Sequence, residues 1–277
     1  MTEVIPARPE GKKEPVPAES RILNLVPSRD TERDWTFTDA LAVGALGAVA
    51  ALPSSVDLRR NWWTIGDQED TGSCVGWATG DGLMRYHLVT ANKLSDERRV
   101  SPRFVWMASK ETDAFSQRPE TFIEGAGTEL KAAVEVCKKY GVVEEAFLPF
   151  RIQTKMYLGQ ENTFWAHAAT LRIASYFNVG KSLNQWRSVL AGGSPILAGL
   201  TVDDTWDSAT GNGGFLEEFA AGTERGGHAV AIVGYLPSGH FIVRNSWGTA
   251  WGDKGFAYAS PDYVRGAFFP EAYVVSL

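Results

Sequence analysis

The stretch GGHAVAIVGYLPSGHFIVRNSWGTAWGDKGFAYAS, residues 226–260, contains three short runs of β-branched or aromatic residues separated by turn formers. The runs are residues 228–235, 240–245 and 255–260. Apolar runs that are punctuated by Gly, Pro, Ser or Asp are typical of consecutive strands. Two similar runs flank the stretch, at residues 195–202 and 271–276. The C-terminal part of the chain is therefore predicted to be rich in β-structure.

Helical patterns come earlier in the chain. Apolar residues recur at helical spacing over residues 74–89, and the glycines in this stretch indicate that another element packs closely against it. A second helix is predicted within residues 128–141, with Thr128 as N-cap, and a third over residues 182–191. Helices followed by strands favour an α+β protein of two lobes over an alternating βαβ sheet.

The first 51 residues differ from the remainder of the chain. Residues 1–20 are rich in Pro, Glu and Lys, and we expect a disordered tail there. Residues 40–52 are apolar, but they are fewer than the roughly 18 to 20 residues that span a bilayer. We favour a buried core element for them over a regulatory segment. The chain is thus divided into an N-terminal extension (1–51), a mainly helical lobe (52–165) and a mainly β lobe (166–277).

Composition narrows the class of function. The formal net charge of -6 argues against nucleic acid or an anionic membrane as the main partner, because both require clustered Lys and Arg. Only two cysteines occur in 277 residues, which excludes a disulfide framework and favours a reducing compartment. The N-terminus lacks the apolar stretch of a secretory signal, so we expect a cytoplasmic location.

The two cysteines have different predicted surroundings. Cys74 begins the first predicted helix, and a helix N-terminus beside an imidazolium lowers the pKa of a thiol and makes it nucleophilic. Cys137 lies in the middle of the second helix on an apolar face, where inert packing is the expected role. Cys74 is therefore the candidate nucleophile.

A base for this thiol must come from four histidines. His228 follows two glycines and begins a predicted strand, which would hold its ring rigidly. His87, His167 and His240 lie in a helix, an Ala-rich stretch and a turn. From the residues alone, each of the four could equally be a satisfied core or surface histidine.

Three motifs, in this order, resemble the papain family of cysteine peptidases. LPSSVDLRRNWWTIGDQEDTGSCVGWA (52–78) is similar to the mature start of those enzymes, with a Gln six positions before the Cys. GGHAVAIVGY (226–235) resembles their His-bearing strand, and HFIVRNSWGTAWGDKGFAYAS (240–260) their Asn-Ser-Trp-Gly segment. The resemblance implies a papain-like α+β fold, in which a helical lobe and an antiparallel, β-barrel-like lobe enclose the active-site cleft.

The resemblance also implies roles for particular residues. Cys74 would be the nucleophile, His228 its base and Asn245 the group that orients the base. Gln68 would donate its amide to the oxyanion, and Trp247 would shield the His–Asn hydrogen bond from water. It implies neither a metal nor an organic cofactor.

The sequence departs from the family's usual pattern at several places. Thr71 stands where the first Cys of the nucleophile loop is expected, so that loop lacks its usual disulfide, as in bacterial members. The glycines that line the cleft are predicted to be Gly125 and Gly127, and Gly227 precedes the base without a polar side chain. Insertions are predicted around residues 115–122 and 206–214.

The function implied is an endopeptidase that acts on peptide or protein substrates through an acyl-enzyme. A catalytically weak or inactive peptide-binding module and a thiol acyltransferase or transpeptidase remain open as alternatives. The resemblance also implies an intramolecular inhibitor, because members of the papain family are commonly made with an N-terminal segment that lies along the cleft and blocks it. The hypothesis is that residues 35–52 dock on the body and limit access to Cys74, because they are apolar and immediately precede the catalytic domain.

Overall fold

The computed structural model describes residues 14–47, 49–112, 125–151 and 161–277, and the insertion predicted around residues 115–122 lies outside these ranges. The helices are α1 (Phe37–Ala42), α2 (Cys74–Gly76), α3 (Arg85–Thr90), α4 (Pro102–Thr112), α5 (Leu130–Lys139), α6 (Glu161–Thr170), α7 (Leu183–Ala191), α8 (Thr205–Ser208) and α9 (Pro261–Ala267). The strands are β1 (Val56–Asp57), β2 (Ser175–Asn178), β3 (Ile196–Val202), β4 (Phe215–Leu216), β5 (Gly226–Tyr235), β6 (Phe241–Arg244), β7 (Phe256–Ala259) and β8 (Phe268–Ser276).

The predicted first helix is the central helix of the molecule. It begins with α2, continues as a π-helical segment (Trp77–Met84) and ends with α3, and the π-helical segment is buried throughout. The close packing predicted from its glycines is confirmed at Gly76. A Cβ added there would lie 2.3 Å from the carbonyl oxygen of Pro102 and 2.7 Å from Cβ of Trp106, both in α4. A glycine is therefore required for α4 to cross the start of the central helix.

The β lobe is built on one eight-stranded sheet in the order β2-β8-β3-β5-β6-β7-β4, with β1 paired to β5. All pairs are antiparallel except β4 with β7. The sheet does not close, because β2 and β4 form its two edges, so the barrel-like form implied by the resemblance is not reached. The α+β class is confirmed. The boundaries proposed at residues 51/52 and 165/166 stay predictions.

A buried charge cluster ties the central helix to the sheet. Asp81, in the π-helical segment, accepts a hydrogen bond from Arg244 of β6 at 2.6 Å and pairs with Arg85 at 3.1 Å and Arg99 at 3.0 Å. Burial opposes ionisation, yet the three guanidinium groups hold the pKa of Asp81 below its usual value. The cluster thus fixes the helix that carries Cys74 against the strand that precedes Asn245.

Part of the predicted disordered tail makes ordered contacts. Residues 18–20 form a 3-10 turn, and the carbonyl oxygen of Ala18 accepts a hydrogen bond from Arg225 at 2.8 Å. Residues 1–13 lie outside the described ranges. Across the described parts of the chain, no helix combines the length and the apolar character needed to cross a membrane.

Candidate active site

Cys74 lies at the first residue of α2, where backbone N–H groups are not yet committed to helical hydrogen bonds. The side chain is fully buried and is a free thiol. The backbones of Ala229 and Val75 hydrogen-bond to the sulfur and favour its ionised form. Because Ala229 follows His228 in β5, the thiol lies against the strand that carries the predicted base.

His228 and Asn245 form a buried hydrogen bond. The His228 Nε2 and Asn245 Oδ1 atoms are 2.8 Å apart, and the backbone N–H of Ser246 donates to the same Oδ1 at 2.7 Å. Since Oδ1 can only accept, Nε2 must carry the proton in the neutral ring. The Nδ1 atom of His228 is buried and has no partner among the described residues. The imidazole therefore has a free acceptor.

Aromatic rings cover this pair. The ring of Trp247 lies 5.1 Å from that of His228, as the shielding role implied by the resemblance requires. A second indole, Trp206, meets His228 edge-on at 5.6 Å and stacks on Trp251 at 5.1 Å. Trp206 was not predicted as a site residue from the sequence and lies within the predicted insertion at residues 206–214.

Trp206 is itself held by a polar chain. Its Nε1–H donates to the Tyr263 hydroxyl at 2.6 Å, and that hydroxyl donates to Asp203 at 2.7 Å. The Asp203 carboxylate also accepts the backbone N–H of Ala220 at 2.6 Å. The signal available in the sequence was a tryptophan in a polar, Gly-rich loop, but the partner Tyr263 is 57 residues away.

Gln68 is fully buried beside the nucleophile loop. Its Oε1 accepts the Ser246 hydroxyl at 2.9 Å, which fixes the orientation of the amide. Its Nε2 donates to the carbonyl oxygen of Thr71 at 2.9 Å and, at 3.5 Å, to that of Ile22 from the N-terminal extension. A carbonyl oxygen of the chain itself thus faces the amide that was predicted to bind the oxyanion.

The structure covers this site with its own N-terminal extension. Residues 21–26, here called the cleft segment, add to both walls of the groove. Leu25 N–H donates to the carbonyl of Gly227 at 3.0 Å, and Asn24 Nδ2 donates to the carbonyl of Gly125 at 2.6 Å. A Cβ on Gly127 would lie 1.9 Å from the carbonyl oxygen of Asn24. The three glycines predicted to line the cleft therefore all contact or closely approach this segment.

The covering segment is not the one that the sequence favoured. Within residues 35–52, Trp35 and α1 pack on the body, but on a different part of the molecule. The Trp35 ring lies 6.0 Å from that of Phe177, and the Trp35 carbonyl accepts the backbone N–H of Asn178 in edge strand β2. The hypothesis that residues 35–52 limit access to Cys74 is therefore wrong for this structure. The buried core element expected for residues 40–52 is not found either: among the described residues of this range Ala40 alone is buried, and Val43 and Leu52 are exposed.

Burial controls the ionisation of the covered pair. It raises the pKa of Cys74 to about 11, although backbone hydrogen bonds act in the opposite direction. It lowers the pKa of His228 to about 4, against the effect of the Asn245 hydrogen bond. The covered site thus favours a neutral thiol beside a neutral imidazole, and the lowered thiol pKa expected from the sequence is not met in this arrangement.

The remaining candidates are engaged elsewhere. Cys137 is fully buried in α5, and burial raises its pKa far above the usual range. His87 lies 3.2 Å from the Ser194 hydroxyl, and His240 lies 2.9 Å from Glu217. His167 packs against an aromatic ring, that of Phe147. None of these four groups contributes to the Cys74 site.

Comparisons with known proteins agree with the geometry. A sequence profile described as papain family cysteine protease matches residues 52–265. Cathepsin K of Mus musculus is 25% identical over 244 residues, covering 85% of this chain and 66% of that protein. An uncharacterized peptidase C1-like protein of Acanthamoeba polyphaga mimivirus is 28% identical over 151 residues, covering 51% of this chain and 49% of that protein.

Solved structures show the same fold. Xylellain, a cysteine protease from Xylella fastidiosa, superposes with a TM-score of 0.73 at 22% identity, covering 96% of this chain and 99% of that one. Procathepsin L2 from Tenebrio molitor gives a TM-score of 0.66 at 19% identity, covering 94% and 79%. The chain spans about half the length of the mimivirus relative and 60% of a cathepsin L-like proteinase from Fasciola hepatica. With the profile matching most of its length, the chain belongs to the papain family of cysteine proteases.

Proposed function

We propose that this protein is a cysteine-type endopeptidase that cleaves peptide bonds through an acyl-enzyme on Cys74. The proposal rests on one observation. The buried His228 ring donates through Nε2 to Asn245, and its Nδ1 has no partner among the described residues. His228 also precedes Ala229, whose backbone hydrogen-bonds to the Cys74 sulfur. Such a ring can take the thiol proton and later return it to a leaving amine. The pattern is that of an oriented nucleophile and base pair.

The chemistry then follows in two halves. The Cys74 proton moves to Nδ1 of His228, and the sulfur attacks the carbonyl carbon of the substrate. Gln68 Nε2 and the backbone N–H of Cys74 would stabilise the oxyanion. The imidazolium protonates the leaving amine, the C–N bond breaks, and a thioester remains on Cys74. Water attacks the thioester with His228 again accepting a proton, which releases the acid and restores the thiol.

Cleavage within a chain, as opposed to cleavage at its ends, is supported by the groove itself. The cleft segment passes through it from one side of the site to the other. Arg21 lies against Asp67 and Trp247 on one side, and Val26 donates to the carbonyl of Thr128 at 3.2 Å on the other. Among the residues that the structure describes, none closes either side of the groove around a chain terminus. A substrate can therefore extend beyond the scissile bond in both directions.

The test is selective modification together with hydrolysis. Because the cleft segment covers Cys74 in the wild type, the test uses Leu25→Asp, a variant designed to displace that segment. A peptidyl epoxide or iodoacetamide should label Cys74 of this variant in preference to Cys137, and a casein-like substrate should be hydrolysed by Leu25→Asp but not after Cys74→Ala or His228→Ala is added to it. Label that appears first on Cys137, with no hydrolysis, would favour the peptide-binding module. Transfer of the acyl group to an added amine, measured by product mass, would favour a transpeptidase over a hydrolase.

We also propose that the cleft segment is an intramolecular inhibitor. The support is physical: it contacts both walls of the groove, directs the Ile22 carbonyl towards Gln68, and leaves Cys74 and His228 without solvent exposure. Leu25 is 5% exposed and packs in the same apolar cluster as Cys74. While the segment stays in place, a peptide cannot reach the sulfur.

Leu25→Asp tests this inhibition, because a carboxylate in an apolar cluster is strongly disfavoured unless it is paired. We expect iodoacetamide to label Cys74 at least tenfold faster in this variant, with casein hydrolysis rising in parallel. Trp35→Ala is the matched control, since it truncates a large side chain of the same extension on the part that packs away from the site. Equal labelling rates in wild type and Leu25→Asp would remove the inhibitor proposal.

The location of the protein stays a prediction. Both cysteines are free thiols, and neither has a disulfide partner in the described chain. This supports a reducing compartment, as the low cysteine count does.

A further inference from the structure

Arg21, at the N-terminal end of the cleft segment, is held by several groups of the catalytic body. The Arg21 guanidinium pairs with the Asp67 carboxylate through both of its terminal nitrogens. It also donates to the backbone carbonyl oxygens of Glu69 at 3.0 Å and Trp247 at 3.1 Å, and it lies 5.8 Å from the Trp247 ring centroid. Only 1% of the Arg21 side chain is exposed. We call the surrounding groups the guanidinium recess: the Asp67 carboxylate, the two carbonyls and the Trp247 ring.

The recess belongs to the catalytic body and is built independently of Arg21. The Asp67 carboxylate accepts the backbone N–H of Glu69 at 2.8 Å, and Asp67 forms a backbone bridge with Trp247. Gly248 has a φ of 74°, and a Cβ there would lie 2.8 Å from Oδ2 of Asp67. A glycine therefore leaves room for the carboxylate. When the cleft segment leaves, the fixed Asp67 carboxylate and the two carbonyls lose the Arg21 guanidinium and can accept another one.

The recess adjoins the proposed reaction centre. Arg21 is followed by Ile22, whose carbonyl oxygen lies 3.5 Å from Nε2 of Gln68. The recess therefore lies about one residue from the position of a scissile carbonyl. Trp247 packs on the His228 ring, which would protonate the leaving amine. The recess thus lies on the leaving-group side, which holds the residues C-terminal to the scissile bond.

We propose that the guanidinium recess is a substrate subsite, and that the enzyme prefers peptides with arginine immediately C-terminal to the cleaved bond, with Asp67 as the specificity-determining residue. The inference rests on the proposed peptidase function and names its substrate class. Arginine is favoured over lysine because its planar fork makes two parallel bonds to a carboxylate and leaves further N–H groups for the carbonyls.

The experiment uses the full chain with Arg21→Ala and Leu25→Asp combined, so that the recess is empty and the cleft uncovered. Two peptides are compared that differ at one residue after the cleaved bond, which is arginine or citrulline. Citrulline keeps the shape of arginine and removes its charge. A charge-assisted pair contributes about 1.5 to 3 kcal/mol, so we expect kcat/KM to favour the arginine peptide by roughly 10- to 100-fold.

Asp67→Asn, added to the same background, should bring the arginine-to-citrulline ratio close to one. Asp70→Asn is the matched control, because it removes an equal charge from an exposed carboxylate three residues away and should keep the ratio. Thermal unfolding of each variant identifies any that fails to fold. Equal cleavage of the two peptides in the background variant, or a preference that survives Asp67→Asn, overturns the proposal while leaving the peptidase function intact.

A second readout covers the case in which no peptide is cleaved. Binding of N-acetyl-arginine methylamide and of its citrulline analogue to the Arg21→Ala, Leu25→Asp variant is then measured by NMR titration. Selective binding of the arginine compound that is lost on Asp67→Asn supports the recess even though the proposed peptidase function has failed. Equal or absent binding of the two compounds overturns it.

Discussion

Two cysteines are buried to the same degree in this molecule, and their surroundings separate a reactive site from packing. Cys137 lies in the interior of α5, where its own backbone provides the one hydrogen bond that favours the thiolate, and burial dominates its pKa. Cys74 begins α2 and accepts hydrogen bonds from the backbones of Val75 and of Ala229, the residue after His228, whose Nδ1 has no partner among the described residues. Burial alone therefore does not distinguish the candidate nucleophile from a packing cysteine; the backbone donors and the neighbouring candidate base do.

Replacing each cysteine by alanine should give the largest difference between the two sites. Cys74→Ala should reduce kcat/KM on a peptide substrate by a factor on the order of 10⁶, as loss of the nucleophile does in an intact triad. Cys137→Ala should leave kcat/KM within about twofold and lower the free energy of unfolding by about 1 kcal/mol, because a small group is removed from a packed core. Steady-state kinetics and denaturant unfolding measure both quantities.

Comparable activity losses in the two variants would contradict the distinction. Far-UV circular dichroism serves as the control, since a Cys137→Ala variant that unfolds would lose activity for an unrelated reason. Both assays use the Leu25→Asp background, so that the cleft segment does not limit the rate in either variant.

Gln68 offers the next largest effect. Gln68→Ala should lower kcat about 10²- to 10³-fold with little change in KM, because an oxyanion donor acts in the transition state. Ser246→Ala keeps this donor and removes only the hydroxyl that orients its Oε1 atom. One neutral hydrogen bond contributes about 1 kcal/mol, so we expect a fall of about fivefold.

The order of these two effects is the informative result. Equal losses from Gln68→Ala and Ser246→Ala would mean that the amide acts as a structural bridge between the nucleophile loop and Ser246. In that case the unfolding free energy should fall in both variants, and the comparison of kcat with stability separates the two roles.

The third prediction concerns pH and the cleft segment. Burial in the covered site lowers the pKa of His228 from the ordinary 6.5 to about 4, so a state that exposes the ring binds more protons in that interval. The covered state should therefore lose stability as the pH falls from 6.5 towards 4, by at most about 1.4 kcal/mol per pH unit. The pKa of Cys74 is raised from 9.0 to about 11, which disfavours covering above pH 9. The state in which the cleft segment covers Cys74 and His228 should be most stable between pH 6.5 and 9.

Hydrogen exchange measures this directly, because the amides of Leu25 and Val26 donate to the two walls of the groove. Their protection factors should fall as the pH drops below 6.5 in the wild type. His228→Gln should flatten this dependence, whereas His87→Gln should not. His87 is the matched control, since burial also lowers its pKa to about 4 but it lies outside the cleft. A dependence that follows His87 would assign the effect to global unfolding.

The candidate site could be predicted from the sequence because its residues lie in three continuous motifs. The groups around Cys74, His228 and Asn245 each occupy a fixed place relative to a helix start or a strand, and local sequence records such places. The strands and the central helix were predicted for the same reason, since apolar period and turn residues encode them locally.

What the sequence did not predict depends on contacts between distant segments. The cleft segment binds through backbone groups, through the isolated side chains of Arg21 and Asn24, and through the space left by Gly127, none of which leaves a periodic pattern. The apolar composition of residues 35–52 drew attention to the wrong part of the extension. Asp81 could not be recognised as a buried hub, because its partner Arg244 is 163 residues away.

Tyr263 provides the smallest effect and extends the comparison to the rings around His228. Its hydroxyl accepts Trp206 Nε1–H and donates to Asp203, so Tyr263→Phe leaves the indole without its acceptor while keeping the ring volume. We expect kcat to fall about fivefold, for one hydrogen bond of about 1 kcal/mol, with KM unchanged. The acid limb of the pH–kcat profile should shift as well, because Trp206 contacts the imidazole edge-on.

Tyr258→Phe is the control, since its hydroxyl donates to Asp253 at 2.6 Å outside the ring cluster. A fall in kcat without a shift of the acid limb would mean that Tyr263 acts only through packing. In that case Trp247, and not Trp206 or Tyr263, would be the outermost ring that influences His228.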